Sequence, residues 1–227
     1  LCPLEFNSDL AALEPPTQTD LPRLKQGLLG GQFWSVYIPI ESYPGAVGDA
    51  SKVLDQIDFV HRLVGRYPKD LEIAYTASDI RRIHASGKIA SLIGIEGGHA
   101  IENSLGNLRM LYQTGARYMT LTHSKGLRWV DSDSDTARVD GLSQFGEEVV
   151  REMNRMGMMV DISHVSPSAM HDVLDVSVAP VIFSHSSAFS VTAHVRNIPD
   201  DVLKRLATNN GVAMITFFLL MSLMRLD

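Results

Sequence analysis

At 227 residues, 45% hydrophobic and 20% charged, the chain has the length and composition of one large α/β domain able to bury a substantial core. A formal charge of −6 argues against a nucleic-acid partner, and a single cysteine, Cys2, excludes both an internal disulfide framework and a cysteine zinc cage. The opening "LCPLEFNSDLAALEPP" lacks the basic start and apolar core of a secretion signal, and the longest apolar run, "FFLLMSLM" (217–224), is well short of the ~20 residues that cross a bilayer.

The first predicted strand is "GGQFWSVYIP" (30–39). "SKVLDQIDFVHRLVGRYP" follows with helical period, placing Val53, Ile57, Val60 and Val64 on one face and stopping before Pro68. "SDIRRIHASGK" reads as a helix capped by Ser78, with Gly87 past its end. The strand "SLIGIEGG" (91–98) leads into "NSLGNLRMLYQTG", whose Leu105, Leu108 and Leu111 or Tyr112 align before Gly115. The strand "YMTLTHS" (118–124) precedes "SQFGEEVVREMNRMG", with Phe145, Val149, Met153 and Met156 on one face between Ser143 and Gly157. "MMVDISHVS" (158–166) runs into "SPSAMHDVL", capped by Ser166 with Pro167 at the first helical position. "PVIFSHSS" (180–187), the helix "PDDVLKRLATNNG" and "GVAMITFF" (211–218) complete the series.

Six largely apolar strands alternating with helices imply parallel strands covered on both faces, in a doubly wound sheet or a (β/α)8 barrel. No Gly-x-Gly-x-x-Gly follows the first strand, as a dinucleotide-binding sheet would usually show. Polar residues stand instead at the C-terminal ends of several strands, where barrel enzymes place their chemistry, so the expected fold is a TIM-type barrel.

Glu96, His123, His164 and His185 each follow an apolar strand. One histidine there is usually a hydrogen-bonded structural residue; three, with a glutamate, at equivalent points indicate a metal site. Imidazole and carboxylate together suit zinc, whose hydrolytic sites keep one position open for water and lower that water's pKa toward ~7. His61, His84 and His171 fall on helices and read as solvated or satisfied; His99, after a Gly-Gly pair, reads as loop or supporting structure, and His194 has no assigned role. "DSDSD" (131–135) begins like a calcium loop but has Thr136 and Leu142 where glycine and glutamate are required, and is expected to be a polar loop over the barrel mouth. Gly-x-Ser-x-Gly is absent, which removes the common serine-hydrolase elbow. The methionines at 153, 156, 158 and 159 read as core packing.

At these residues the chain resembles the renal (membrane) dipeptidase family, zinc dipeptidases among the metal-dependent hydrolases. The resemblance rests on "GLLGGQFWSVYIP", "KIASLIGIEGGHAI", "YMTLTHS", "GLSQFGEEVVREMNRMGMMVDISHVS" and "APVIFSHSSAFSVTAHVRNIPDD", and is strongest over residues 22–217 of a single domain spanning 1–227. It implies that Glu96 bridges two zinc ions, that His164 and His185 complete the second zinc site, and that His123 contacts the substrate and supports the tetrahedral intermediate. It further implies that Arg196 holds the terminal carboxylate of a dipeptide, and that a hydroxide bridging the metals attacks the peptide carbonyl. Homodimers are also implied; the compartment is not.

Two departures shape the expectation. The family's first strand carries a His-x-Asp pair for the other zinc, and none of the eight histidines here is followed two positions later by aspartate. The proton-handling aspartate of the eighth strand is also unmatched. The six strands therefore correspond to strands two to seven of a truncated barrel, with at most one well-formed zinc site and no dipeptidase activity in the chain as it stands. Another metal-dependent amidohydrolase and a catalytically dead binding protein are the alternative readings.

Overall fold

The computed structural model describes residues 9–12, 19–40 and 49–217. The elements follow in order: α1 (Leu21–Gln26), β1 (Gly31–Tyr37), α2 (Asp49–Arg66), β2 (Leu71–Ile73), α3 (Ala77–Ala85), β3 (Ile89–Glu96), α4 (Leu105–Gln113), β4 (Ala116–Thr120), α5 (Gln144–Met156), β5 (Met159–Asp161), α6 (Pro167–Val176), β6 (Ile182–Phe183), α7 (Asp200–Asn209) and β7 (Val212–Ala213). All strand pairs are parallel and the sheet runs β1-β3-β4-β5-β6-β7, the open-barrel arrangement expected from the alternation. β1 lies along one edge of β3 from Ala90 to Glu96, so β2 and β4 divide the other edge, β2 against 89–91 and β4 from Ile93 onward. Neither β2 nor α1 is anticipated by the sequence pattern; both are too short to show a period.

The helices form where their punctuation places them. Ser104, Ser143 and Ser166 each accept a backbone N–H of the first turn, and Gly157 closes α5 in the left-handed conformation at φ 78°. One cap differs from expectation. Thr76, not Ser78, caps α3, because Thr76 has the extended backbone a cap needs and forms a reciprocal capping box with Asp79. Ser78 lies inside the first turn. At the end of α7, Asn210 rather than Gly211 takes the left-handed position.

Packing follows the periodicity. Val53, Ile57, Val60 and Val64 of α2 are all buried, as are Val149 and Met153 of α5, Leu108 and Leu111 of α4, and Val36, Ile95, Met119, Val160 and Phe183 from the strands. Each such side chain contributes about 1.5–3 kcal/mol of transfer free energy. This apolar layer fixes the strands' C-terminal ends at one rim. Among the described residues β1 and β7 pair on one side only, and Val212, Ile215 and Phe217 near the β7 edge are exposed. No described helix is long and apolar enough to cross a membrane.

Candidate metal centre

Four consecutive strand ends deliver the polar residues. Glu96 closes β3, and the chain then turns through Gly97 at φ 117° and Gly98, where an added Cβ would meet the Leu121 carbonyl at 2.3 Å. That is the physical content of "GIEGG": the backbone beside Glu96 has no room for side chains. His123, His164 and His185 follow β4, β5 and β6. His164 adopts φ 70°, an uncommon conformation for a non-glycine residue, and its carbonyl is held by the Asp133 N–H at 2.9 Å.

These residues converge. Glu96 Oε1 lies 3.4 Å from His164 Nε2 and 3.3 Å from His185 Nε2, and the two Nε2 atoms are 2.8 Å apart. Among the described residues this is the one trio of metal-type side chains whose donor atoms share a common point. Zinc bonds of about 2.0–2.2 Å in a tetrahedral array give donor–donor edges of about 3.3–3.5 Å, which two of the three separations match. A carboxylate oxygen and two imidazole nitrogens are also suitable donors, so the residues fit such an ion. His123 stands beside the trio, its Nε2 3.7 Å from Glu96 Oε1 and its ring 4.2 Å from that of His164.

Protonation favours ligation. Burial pushes the His164 imidazole down to about 3, so it is neutral near pH 7. Burial alone would raise the Glu96 carboxyl, but the His164 and His185 imidazoles beside it and the hydrogen bond from the Ser35 hydroxyl at 2.8 Å hold it well below the usual range, so it is anionic. The supporting layer centres on Asp161, which sequence reasoning missed. This fully buried carboxylate accepts from the Thr120 and Ser184 hydroxyls, both at 2.5 Å, and from the N–H groups of Ser163 and Ser184 at 3.0 and 2.9 Å. With its proton given to Asp161, the Ser184 hydroxyl accepts from His185 Nδ1 at 2.7 Å, which leaves His185 Nε2 a lone pair. Asp161 thus ties the ends of β4, β5 and β6 together and sets a tautomer. Its local signal, the aspartate of "VDISH", is indistinguishable from a polar strand end.

Arg196 also reaches the rim, buried rather than open. Its Nη1 donates to Asp133 Oδ2 at 2.8 Å and its Nη2 to the His185 carbonyl at 3.4 Å. The "DSDSD" segment is therefore not simply a polar loop over the mouth. Asp131 is buried and accepts the N–H groups of Arg138, Val139 and Gly141, and the Asp133 side chain is covered against Arg196. The unsatisfied backbone of the loop draws one carboxylate inward and the arginine draws the other. Tyr37, at the end of β1, lies with its hydroxyl 3.4 Å from His123 Nδ1, a neighbour the sequence did not single out. Four of the other five histidines have structural partners: His61 bonds the Thr114 carbonyl, His99 the Ile38 carbonyl, His171 Asp201, and His194 Nδ1 accepts the Arg196 N–H.

The family model for membrane dipeptidase (peptidase family M19) matches residues 3–222. Dipeptidase tcpJ of Claviceps purpurea (strain 20.1) is 50% identical over 205 residues, covering 87% of this chain and 48% of that protein. The chain thus spans about half the length of that curated relative. Among solved structures, the probable dipeptidase PvdM from Pseudomonas aeruginosa superposes with a TM-score of 0.85 at 23% identity, over 94% of this chain and 57% of that one. Dipeptidase AC, a metallopeptidase of family M19, superposes with a TM-score of 0.78 at 25% identity, over 92% of this chain and 66% of that one. With the family match running over nearly the whole sequence, the chain belongs to the membrane dipeptidase family.

Proposed function

We propose that the site serves zinc-dependent hydrolysis of dipeptides, with Glu96, His164 and His185 holding the metal. The observation that carries this reading is the convergence of those three donors at separations of 2.8–3.4 Å. Family membership and the name of the Claviceps relative support the dipeptide substrate. A bound zinc ion supplies Lewis acidity, acidifying water and polarising a carbonyl. Glu96, kept ionised, is the anionic donor; His185 is oriented by Ser184 and Asp161; His123 stands beside them to donate a hydrogen bond to charge developing on the peptide oxygen. Arg196 is assigned to the dipeptide's terminal carboxylate, a task suited to a planar two-pronged donor.

The donor inventory sets a limit on activity. These 227 residues contain no His-x-Asp pair, and the described residues contain one three-donor cluster. We therefore infer one zinc per 227-residue chain, and turnover far below that of a relative with two metal sites. Metal analysis of the purified chain, with a dipeptide hydrolysis assay beside it, tests both statements. One zinc and trace turnover are expected. Two tightly bound zincs, or turnover matching a complete relative, overturn the limit; no zinc at all overturns the site.

A further inference from the structure

Arg196 is a cation removed from water with few of its hydrogens used. Its side chain is 6% exposed, Nη1 has one good bond to Asp133, Nη2 reaches a carbonyl only at 3.4 Å, and the buried Nε has no hydrogen-bond partner. A guanidinium offers five N–H donors in a fork that fits two carboxylate oxygens side by side. Here the chain supplies one carboxylate oxygen on one prong and only a long carbonyl contact on the other. Asp133 is built into that position. Its N–H holds the His164 carbonyl at 2.9 Å, the Ser134 hydroxyl donates to its Oδ1, and its side chain is 1% exposed. The ion pair therefore bridges the carbonyls of His164 and His185, and lies against the wall of the metal cluster.

We propose that Asp133 is an internal counter-carboxylate that half-occupies Arg196 and so limits how strongly this site prefers ligands with a free carboxylate over their amides. The inference rests on the dipeptidase reading, in which the second carboxylate on Arg196 is the C-terminus of a dipeptide. An arriving carboxylate meets an arginine whose charge is already compensated, with a second anion a few ångströms away. Low-dielectric surroundings strengthen that repulsion. Without the Asp133 charge, the same ligand would instead neutralise a buried cation left alone, the state that is hardest to sustain. A neutral amide feels neither effect.

The test uses the full chain, with zinc added, and calorimetric titration with alanyl-alanine and with its C-terminal amide. Wild type is expected to favour the acid by no more than about threefold, and Asp133→Asn to bind the acid about tenfold tighter with the amide unchanged. A further Arg196→Gln change should remove the gain. Asp133→Ser repeats the measurement if the asparagine variant does not melt cooperatively. Equal acid affinity in wild type and variants, a parallel gain for acid and amide, or no acid binding by Asp133→Asn overturns the proposal. So does a hundredfold acid preference in wild type, which needs no variant to be measured. A purely structural ion pair would lower the melting temperature on substitution and leave acid and amide alike. Failure of the dipeptidase reading looks different: not even trace hydrolysis of the dipeptide by the zinc-loaded chain, with the acid-against-amide difference intact.

Discussion

Two clusters in this chain use the same residue types to different ends. At the strand ends, Glu96, His164 and His185 gather behind the rim, with His164 and Glu96 largely out of water. On the outer surface, His171 of α6 lies between Asp201 and Arg205 of α7, at 3.0 and 2.8 Å, and Arg205 continues to Asp175. In the outer cluster every acceptor meets a proton: Arg205 donates to His171 Nδ1, and His171 Nε2 donates to Asp201. The circuit is closed, and the carboxylates are about two-thirds exposed. In the inner cluster acceptor atoms converge with a deficit of protons, which is the condition for binding a cation. Histidine and carboxylate content does not separate a metal site from a surface ion network; burial and the direction of the lone pairs do.

The largest expected effect tests that distinction directly. Glu96→Gln or His185→Ala should weaken zinc binding by at least about 100-fold, since a first ligand is lost, whereas His171→Ala should leave it unchanged. Competition against a chromogenic chelator reads all three, and a zinc affinity that follows His171 would place the metal on the outer surface. Ser184→Ala comes next. It removes the acceptor that holds His185 Nδ1 while leaving all three zinc donors, and should cost about 10–100-fold in zinc affinity, together with a lower melting temperature because the buried Asp161 carboxylate loses one of its donors. An unchanged affinity would show that His185 is oriented by packing alone.

The inner cluster was the more legible of the two because its placement repeats. Glu96, His123, His164 and His185 each end an apolar run, and parallel topology converts that repetition into proximity. Helix faces were legible for the same reason: α2 repeats its apolar residues every three or four positions. What escaped depends on contacts distant in sequence. Asp161 matters because three strand ends meet around it, and its partner Ser184 is 23 residues away. Asp133 and Arg196 are separated by 63 residues, and nothing near either one announces the pair. β2 and α1, three and six residues long, are too short for a period, and α1 is marked only by its punctuation, Asp20 as cap before Pro22.

His171→Ala also measures what a closed surface network contributes. Because the α6–α7 bonds are half exposed, the loss should be no more than about 1 kcal/mol, a shift of a few degrees at most in the melting temperature. A loss above that range would mean that the network, and not the apolar contact beneath it, docks α7.

The smallest effect is a pH dependence confined to the outer cluster. Burial acts to raise the Asp201 carboxyl, but the Val202 N–H and the His171 hydrogen bond outweigh it, and the group stands below its ordinary value. A carboxylate with a depressed folded-state pKa contributes stability that is complete above the unfolded value, about 3.9, and is lost as pH falls through the folded one. The difference in melting temperature between wild type and Asp201→Asn should therefore be small and constant from pH 7 to pH 5. Below about pH 4 it should shrink as protonation removes from wild type what the substitution has already removed from the variant. High salt should shrink it too, since exposed charges are screened. A difference that instead grows toward acid would mean that Asp201 binds its proton more tightly in the folded chain, and that His171 is held by Arg205 alone.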